Sequence, residues 1–264
     1  MSKFNIKTLV NYLPENNRIE RIWKISQVDF KKRYYNDSLG IVWALINPIF
    51  RILIYYVVFT QVFKSREDNF ILFLFSGLII WMGFSEATKK GINVFKSKRY
   101  LLENIQFEKI DLFIAHVLSV FFGMSFNFLI YIIFSFVLGV GFGVNALYFI
   151  LVFISLFVLC IGVSMILTVA VGLLKDISHL WDIALLAGFW GSGIFYSAEK
   201  ILEPLPFAKF NPILGMITNT RETLLLNTQP DFFFLIYSFF FSLLTFIVGY
   251  LLLNRFGHLY FEKM

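Results

Sequence analysis

The chain has 264 residues, of which 58% are hydrophobic, 20% aromatic and only 15% charged, with a formal charge of +6. A soluble domain averages nearer a quarter charged residues, and thirty-five phenylalanines are more than one aqueous core can conceal. These figures exclude a water-soluble globular domain and identify an integral membrane protein, whose basic excess belongs to a membrane surface rather than to nucleic acid.

The first twenty residues lack the basic start, apolar block and small-residue cleavage site of a signal peptide, so retention of this segment is expected. Residues 19–35 place Ile19, Ile22, Trp23, Ser26 and Phe30 at helical spacing, which predicts an amphipathic helix on the cytoplasmic face. Lys31, Lys32 and Arg33 are expected to meet lipid phosphates, while Tyr34, Tyr35 and Trp43 suit the interfacial belt. Asn36, Asp37 and Ser38 are placed to cap the helix that follows. On these residues alone, the cluster reads equally as a basic anchor and no more.

Six segments reach the ~20 apolar residues that a spanning helix needs: 39–63, 70–87, 112–138, 146–174, 177–196 and 232–253. The expected fold is therefore an all-α membrane protein, one transmembrane domain over 1–264. A tail with its interfacial helix (1–38) precedes the six-helix bundle (39–253), and a short tail (254–264) follows. With both termini cytoplasmic, 17 of the 23 basic residues lie inside and five outside, Arg51 being set apart, and that bias orients the bundle.

Arg51 falls about 12 residues into the first span, near the midplane at ~1.5 Å per residue. Asn47, Arg51 and Tyr55 recur every four residues and share one face. Ionisable groups in a bilayer are costly unless paired or hydrated. Two roles fit: a polar track for a hydrophilic substrate, or a structural ion pair with Glu86 or Asp182. Residues 89–111 mix charge with Val94, Phe95, Leu101, Leu102, Ile105 and Phe107, as suits a cytoplasmic helix docked either on a partner or on lipid. Residues 197–231 contain four prolines yet are too apolar for a solvated loop. They read as re-entrant segments on the outer side, natural gates, or as a structural cap.

Soluble chemistry is missing. There is no phosphate-cradling loop, zinc-protease pair or nucleophile elbow, and His116, His179 and His258 lack metal-ligand spacing. Cys160 stands alone in an apolar run and reads as a core residue. No catalytic residue, metal or cofactor is assigned to this chain.

An ordered set of short elements carries a resemblance. Asp29-Phe30-Lys31, Arg33-Tyr34, Leu39-Gly40, Trp43 and Pro48 come first, then Tyr55 or Tyr56 with Val58-Phe59. Phe75, Gly77-Leu78, Trp81 and Phe84-Ser85-Glu86 follow. Asp176-Ile177, Ser192, Ile194, Phe195-Tyr196, Asn211-Pro212 and Arg221 complete the set. The whole resembles the permease subunit of type-2 ABC exporters of polysaccharides, the O-antigen, capsule and teichoic acid permeases. Two departures stand out: Phe107-Glu108-Lys109 lacks the family's proline, and Gly193 replaces proline after Ser192.

The resemblance implies a homodimer working with two copies of a separate ATP-hydrolysing subunit, which would hold ATP and Mg. It implies export of a lipid-linked polysaccharide from the cytoplasmic to the outer face of a bacterial inner or plasma membrane. Trp43, Tyr55 and Trp81 would line the substrate channel; Asn47 and Arg51 join them by their shared helical face with Tyr55 and not from the family pattern, which does not carry Arg51. Trp23, Lys31, Lys32, Arg33 and Tyr34 would sit where substrate is loaded. Lys98, Arg99, Glu103, Glu108, Lys109, Asp111 and Asp176 would couple to the ATPase. Ser192, Phe195, Tyr196, Asn211, Pro212 and Arg221 would form the outer gate. A permease for a small drug or lipid, a membrane enzyme acting on lipid-linked sugars, and a passive channel are the competing readings.

Overall fold

The structure, a computed structural model, describes residues 17–34, 40–58, 61, 69–104 and 108–257. Among these, all regular structure is helical.

Helix α1 (Arg18–Tyr34) begins where the Asn17 side chain accepts the Glu20 N–H at 3.2 Å. Glu20 in its first turn and Lys31, Lys32 and Arg33 in its last complement the helix dipole. Its apolar stripe does not rest on lipid alone. Trp23 meets Phe122 edge-on at 5.1 Å and Phe30 stacks on Phe126, so α1 is pinned along helix α6 (Lys109–Val137). The expected cap at 36–38 lies outside the described residues.

After a 3-10 turn at Gly40–Val42, α2 (Trp43–Val57) carries Pro48 in its second turn. Helix α3 (Phe70–Gly91) is enclosed by its neighbours; α4 (Val94–Ser97) and α5 (Arg99–Asn104) make the corner leading to α6. A 3-10 turn at Val144–Leu147 leads into α7 (Tyr148–Leu173), followed by α8 (Ile177–Gly191) and α9 (Ala198–Leu202). A further 3-10 turn at Pro206–Phe210 precedes α10 (Pro212–Leu224) and α11 (Phe232–Phe256).

Four helical stretches among the described residues are long and apolar enough to cross a membrane: α3, α6, Val144–Leu173 and α11. The α-helical part of α2 runs to Val57, Val58 and Gln61 are still helical, and part of its expected C-terminal extension lies outside the described residues. Helix α8 stops at Gly191, five residues before its expected end, and its 15 residues reach ~22 Å against a ~30 Å hydrocarbon core. The cause is local: Gly191-Ser192-Gly193 breaks the helix, and Gly193 sits at φ +71°, a left-handed conformation that residues with a side chain rarely adopt.

Within a bilayer, apolar residues gain little by leaving lipid for protein, so close packing and interhelical hydrogen bonds must hold the bundle. Helices α7 and α11 meet most closely at Gly162 and Gly249; a Cβ on Gly249 would lie 2.6 Å from the Gly162 carbonyl oxygen. Helices α3 and α7 are tied by Thr168 Oγ1 donating to the Gly91 carbonyl at 2.9 Å. Helix α6 joins them through the buried His116, whose Nε2–H donates to the Ala87 carbonyl at 3.0 Å. His116 is thus a core strut. Cys160 is buried in the same core.

The two irregular regions also resolve. Ten of the thirteen α10 residues are buried, so α10 is inserted among α3, α7 and α11 and is not a lid over them. In the 89–111 corner, Val94, Phe95 and Leu101 face the bundle, with Phe95 edge-on to Phe113 at 5.3 Å.

Candidate functional site

A cavity of about 500 Å³ opens between α1, α2, α3 and α6. Trp43, Asn47 and Arg51 line it from α2, as the four-residue spacing predicts, facing Glu86, Lys89 and Lys90 of α3, Arg33 of α1 and Asn127 of α6. Arg33 does not reach out to lipid phosphates. Its guanidinium turns inward to Glu86 at 3.0 Å and donates to Ser119 Oγ at 3.3 Å. Lys90 contacts the same Glu86 oxygen at 2.7 Å, and Lys89 pairs with Asp182 at 2.8 Å. Both acids proposed as partners for Arg51 are therefore engaged elsewhere. Arg51 is exposed to the cavity without a carboxylate partner among the described residues.

Of the expected loading residues, Trp23 is half exposed and Lys31 and Lys32 are exposed; the Tyr34 side chain lies outside the description. The coupling set divides. Arg99, Glu108 and Asp176 are exposed, Lys109 is partly so, and the Glu103 side chain lies outside the description. Lys98 and Asp111 cannot meet a partner as free surface charges, because both are buried. Lys98 Nζ contacts Asp29 Oδ2 at 2.5 Å and donates to the Leu112 carbonyl. Asp111, fully enclosed, accepts from Arg18 at 2.9 Å and lies 3.5 Å from Arg21. Hydrogen bonding to Asp111 holds the Arg18 guanidinium above its ordinary pKa. Both residues thus fasten α1 to the corner that leads into α6.

At the other end of α8, the expected gate residues converge on one turn. Arg221, 5% exposed, reaches from α10 into the break after Gly191. Its Nη1 donates to the Gly193 and Tyr196 carbonyls at 2.7 and 3.2 Å, and Nη2 to the Ile194 carbonyl at 2.7 Å. Nε and Nη2 both reach the Phe73 carbonyl at 3.2 Å, and the guanidinium lies 3.5 Å over the Phe73 ring. Gly77 makes the room, since a Cβ there would stand 2.9 Å from Nη2. A fork of five donors is well suited to a cluster of carbonyls orphaned by a helix end. Asn211 caps α10, accepting the Ile213 N–H at 3.0 Å and donating to Ser192 Oγ at 3.2 Å, with Pro212 at the first helical position. Tyr196 donates its hydroxyl to the Trp190 carbonyl. The glycine found in place of proline also has its reason, since proline cannot adopt φ +71°.

Tyr55 and Trp81 do not line the cavity. Tyr55 packs on Phe195 and Phe189 at 5.2 and 6.1 Å, and the buried Trp81 packs on Phe189 at 6.1 Å and against Gly188. The stripe Asn47–Arg51–Tyr55 therefore runs ~12 Å from the cavity to the arginine-held turn.

A family model described as "ABC-2 type transporter" matches residues 20–225, which spans the cavity, the corner and the turn. The chain belongs to the ABC-2 type transporter family. As such it is a multi-pass membrane protein and a transport subunit. An O-antigen export system permease protein, RfbA, of Klebsiella pneumoniae is 22% identical over 240 residues, covering 90% of this chain and 92% of that protein. RfbA of Myxococcus xanthus is 25% identical over 214 residues, 78% and 80% of the two chains. The polysialic acid transport protein KpsM of Escherichia coli is 23% identical over 225 residues, 84% and 87%.

In this ABC-2 chain, sequence reasoning missed Lys89, Lys90 and Asn127 as cavity residues. Each left a trace. The two lysines follow Glu86 by three and four positions, one helical turn, and Asn127 is an amide amid the apolar run FNFLIY.

Proposed function

We propose that this chain is the channel-forming subunit of an ATP-driven exporter that moves a lipid-linked polysaccharide across the inner or plasma membrane. The observation that carries the reading is likeness along nearly the whole chain to permeases named for O-antigen export and to a polysialic acid transporter. Six spans per protomer with both termini cytoplasmic, a homodimer, and two separate ATPase subunits holding ATP and Mg complete the proposal. The whole chain acts as one permease domain.

The cavity supports this role because it offers cations, amides and an indole to a hydrophilic cargo. The stripe through Tyr55 continues into Phe189 and Phe195, whose faces can pack on sugar C–H groups while hydroxyls find polar partners. The turn held by Arg221 is the outer gate in this account, with Ser192, Tyr196, Asn211 and Pro212 setting its shape. Movement of the ATPase reaches the bundle at exposed Arg99, Glu108 and Asp176. From there it passes through the buried pairs of Lys98 and Asp111 to α1, and so to Arg33 in the cavity.

Native mass spectrometry of the chain purified with its ATPase tests the assembly. Two copies of each subunit, with ATP turnover raised by lipid-linked glycan, are expected. A monomer that turns over lipid-linked sugar without the ATPase would overturn the reading.

A further inference from the structure

We infer that helix α6 carries a file of bound water, held by Asn127, Tyr131 and Ser135, that runs inside the bundle from the cavity toward the turn held by Arg221. The three residues recur every four positions and so form one stripe along α6. Asn127 is 9% exposed, and Tyr131 and Ser135 are fully enclosed. Asn127 Oδ1, Tyr131 Oη and Ser135 Oγ each lack a hydrogen-bond partner among the described residues. A buried polar atom is costly while dry and unpaired, and here such atoms follow one another on a single helix face. The inference does not depend on the cargo, so its failure would leave the export reading untouched.

Ser135 shows the contrast. Elsewhere on α6, Ser119 and Ser125 bend back to donate to the His116 and Phe121 carbonyls, and Ser155 and Ser242 do the same on α7 and α11. The Ser135 hydroxyl makes no such bond. Tyr131 lies close enough to Ser135 to interact, yet no direct bond joins the two hydroxyls. Successive members of the stripe stand ~6 Å apart along the helix axis, the span of two O–H···O bonds of ~2.8 Å, so one water bridges each gap. Water suits all three, because it donates to the amide oxygen and accepts from the hydroxyls. Asn127 lines the cavity, where water enters. Tyr131 meets Phe75 of α3 edge-on at 5.9 Å, which sets it in the seam between α3 and α6, and it is near enough to Arg221 to feel that charge. The α3–α6 seam is therefore a wet joint, unlike the α3–α7 joint that Thr168 closes directly.

The test is hydroxyl-radical labelling by X-ray radiolysis of water, on the full chain with its ATPase in phosphatidylcholine nanodiscs, read residue by residue by mass spectrometry. The radicals form from water, so an enclosed side chain is labelled where bound water touches it. Tyr131 should be labelled several-fold faster than Phe113, an equally enclosed ring packed on Phe95. Asn127→Leu combined with Ser135→Ala should bring Tyr131 down to the Phe113 rate. Ser242→Ala, at a buried serine that bonds its own helix, should leave Tyr131 labelling unchanged. Should the combined variant fail to assemble, the melting temperature of Tyr131→Phe takes its place. Removing a hydroxyl that water holds leaves that temperature unchanged or lower, whereas removing a dry, unpaired one raises it. Three results would each overturn the inference: Tyr131 labelled no faster than Phe113, labelling that the combined variant lowers no more than Ser242→Ala does, or a melting temperature raised by Tyr131→Phe.

Discussion

Arg221 is a buried cation that donates to a cluster of backbone carbonyls and stacks on one aromatic face. The carbonyls at the broken end of α8 supply a negative end for this interaction. Replacing it by glutamine would leave several of those carbonyls without donors in a dry setting, a loss of about 3–5 kcal/mol, at the top of the single-substitution range. A fall in melting temperature in detergent, with lysine failing to rescue, is expected; full rescue by lysine would show that charge alone, not the fork, holds the turn. At the other end, Asp29→Asn strands the Lys98 ammonium, which is 6% exposed, and should cost about 3–5 kcal/mol. An unaltered melting temperature for Asp29→Asn would mean that the Lys98–Asp29 pair carries no stability. The sequence marked Arg221 and Lys98 as notable but not their partners. Backbone carbonyls have no sequence signature, and Asp29 lies 69 positions from Lys98. Gly77 and Gly193 were the visible half of the turn, since a Cβ would crowd Arg221 at the first and Leu214 at the second.

Among the helices, the long apolar runs were legible to within a few residues because bilayer thickness dictates their length. The end of α8 was not, since an apolar run continues through Ile194 and Phe195 after the backbone has already turned. Nor was the placement of α1. Its amphipathic pattern is satisfied equally by lipid and by the face of α6, and only the charge pairs to Glu86, Lys98 and Asp111 decide between them. Replacing Asp111 by asparagine should therefore loosen α1 selectively. Hydrogen exchange in α1 should rise about tenfold or more while that in α7 and α11 holds, as for a locally opening unit; uniform exchange changes would argue against a clipped helix. The α7–α11 pair depends on a different device. Gly249→Leu drives a side chain into the Gly162 backbone and should lower stability by about 1–3 kcal/mol or more. Little change in thermal unfolding would mean that the two helices separate readily.

Taken whole, the chain presents apolar faces on α2 (Phe50, Leu53, Ile54), α8 (Leu180, Ile183, Leu186) and α11 (Ile236, Phe240, Leu244). These are surfaces for lipid or for a second copy, and they surround an interior in which the polar groups are gathered at two ends. One end is a cationic cavity between α1 and α3, the other an arginine-held turn, and the stripe through Tyr55 joins them. Family membership was legible from the order of short elements along the chain. The contacts that build the two ends were not, because they depend on which helices meet.

The central claim, ATP-driven export of a lipid-linked polysaccharide, is tested most directly in inside-out proteoliposomes holding this chain and its ATPase. Lipid-linked glycan is added outside, and the fraction that becomes protected from an external glycosidase is followed. The account predicts protection that requires ATP, the ATPase and this chain together, and that falls at least about tenfold in Arg51→Gln. Protection without ATP, or none with all components present, would contradict it.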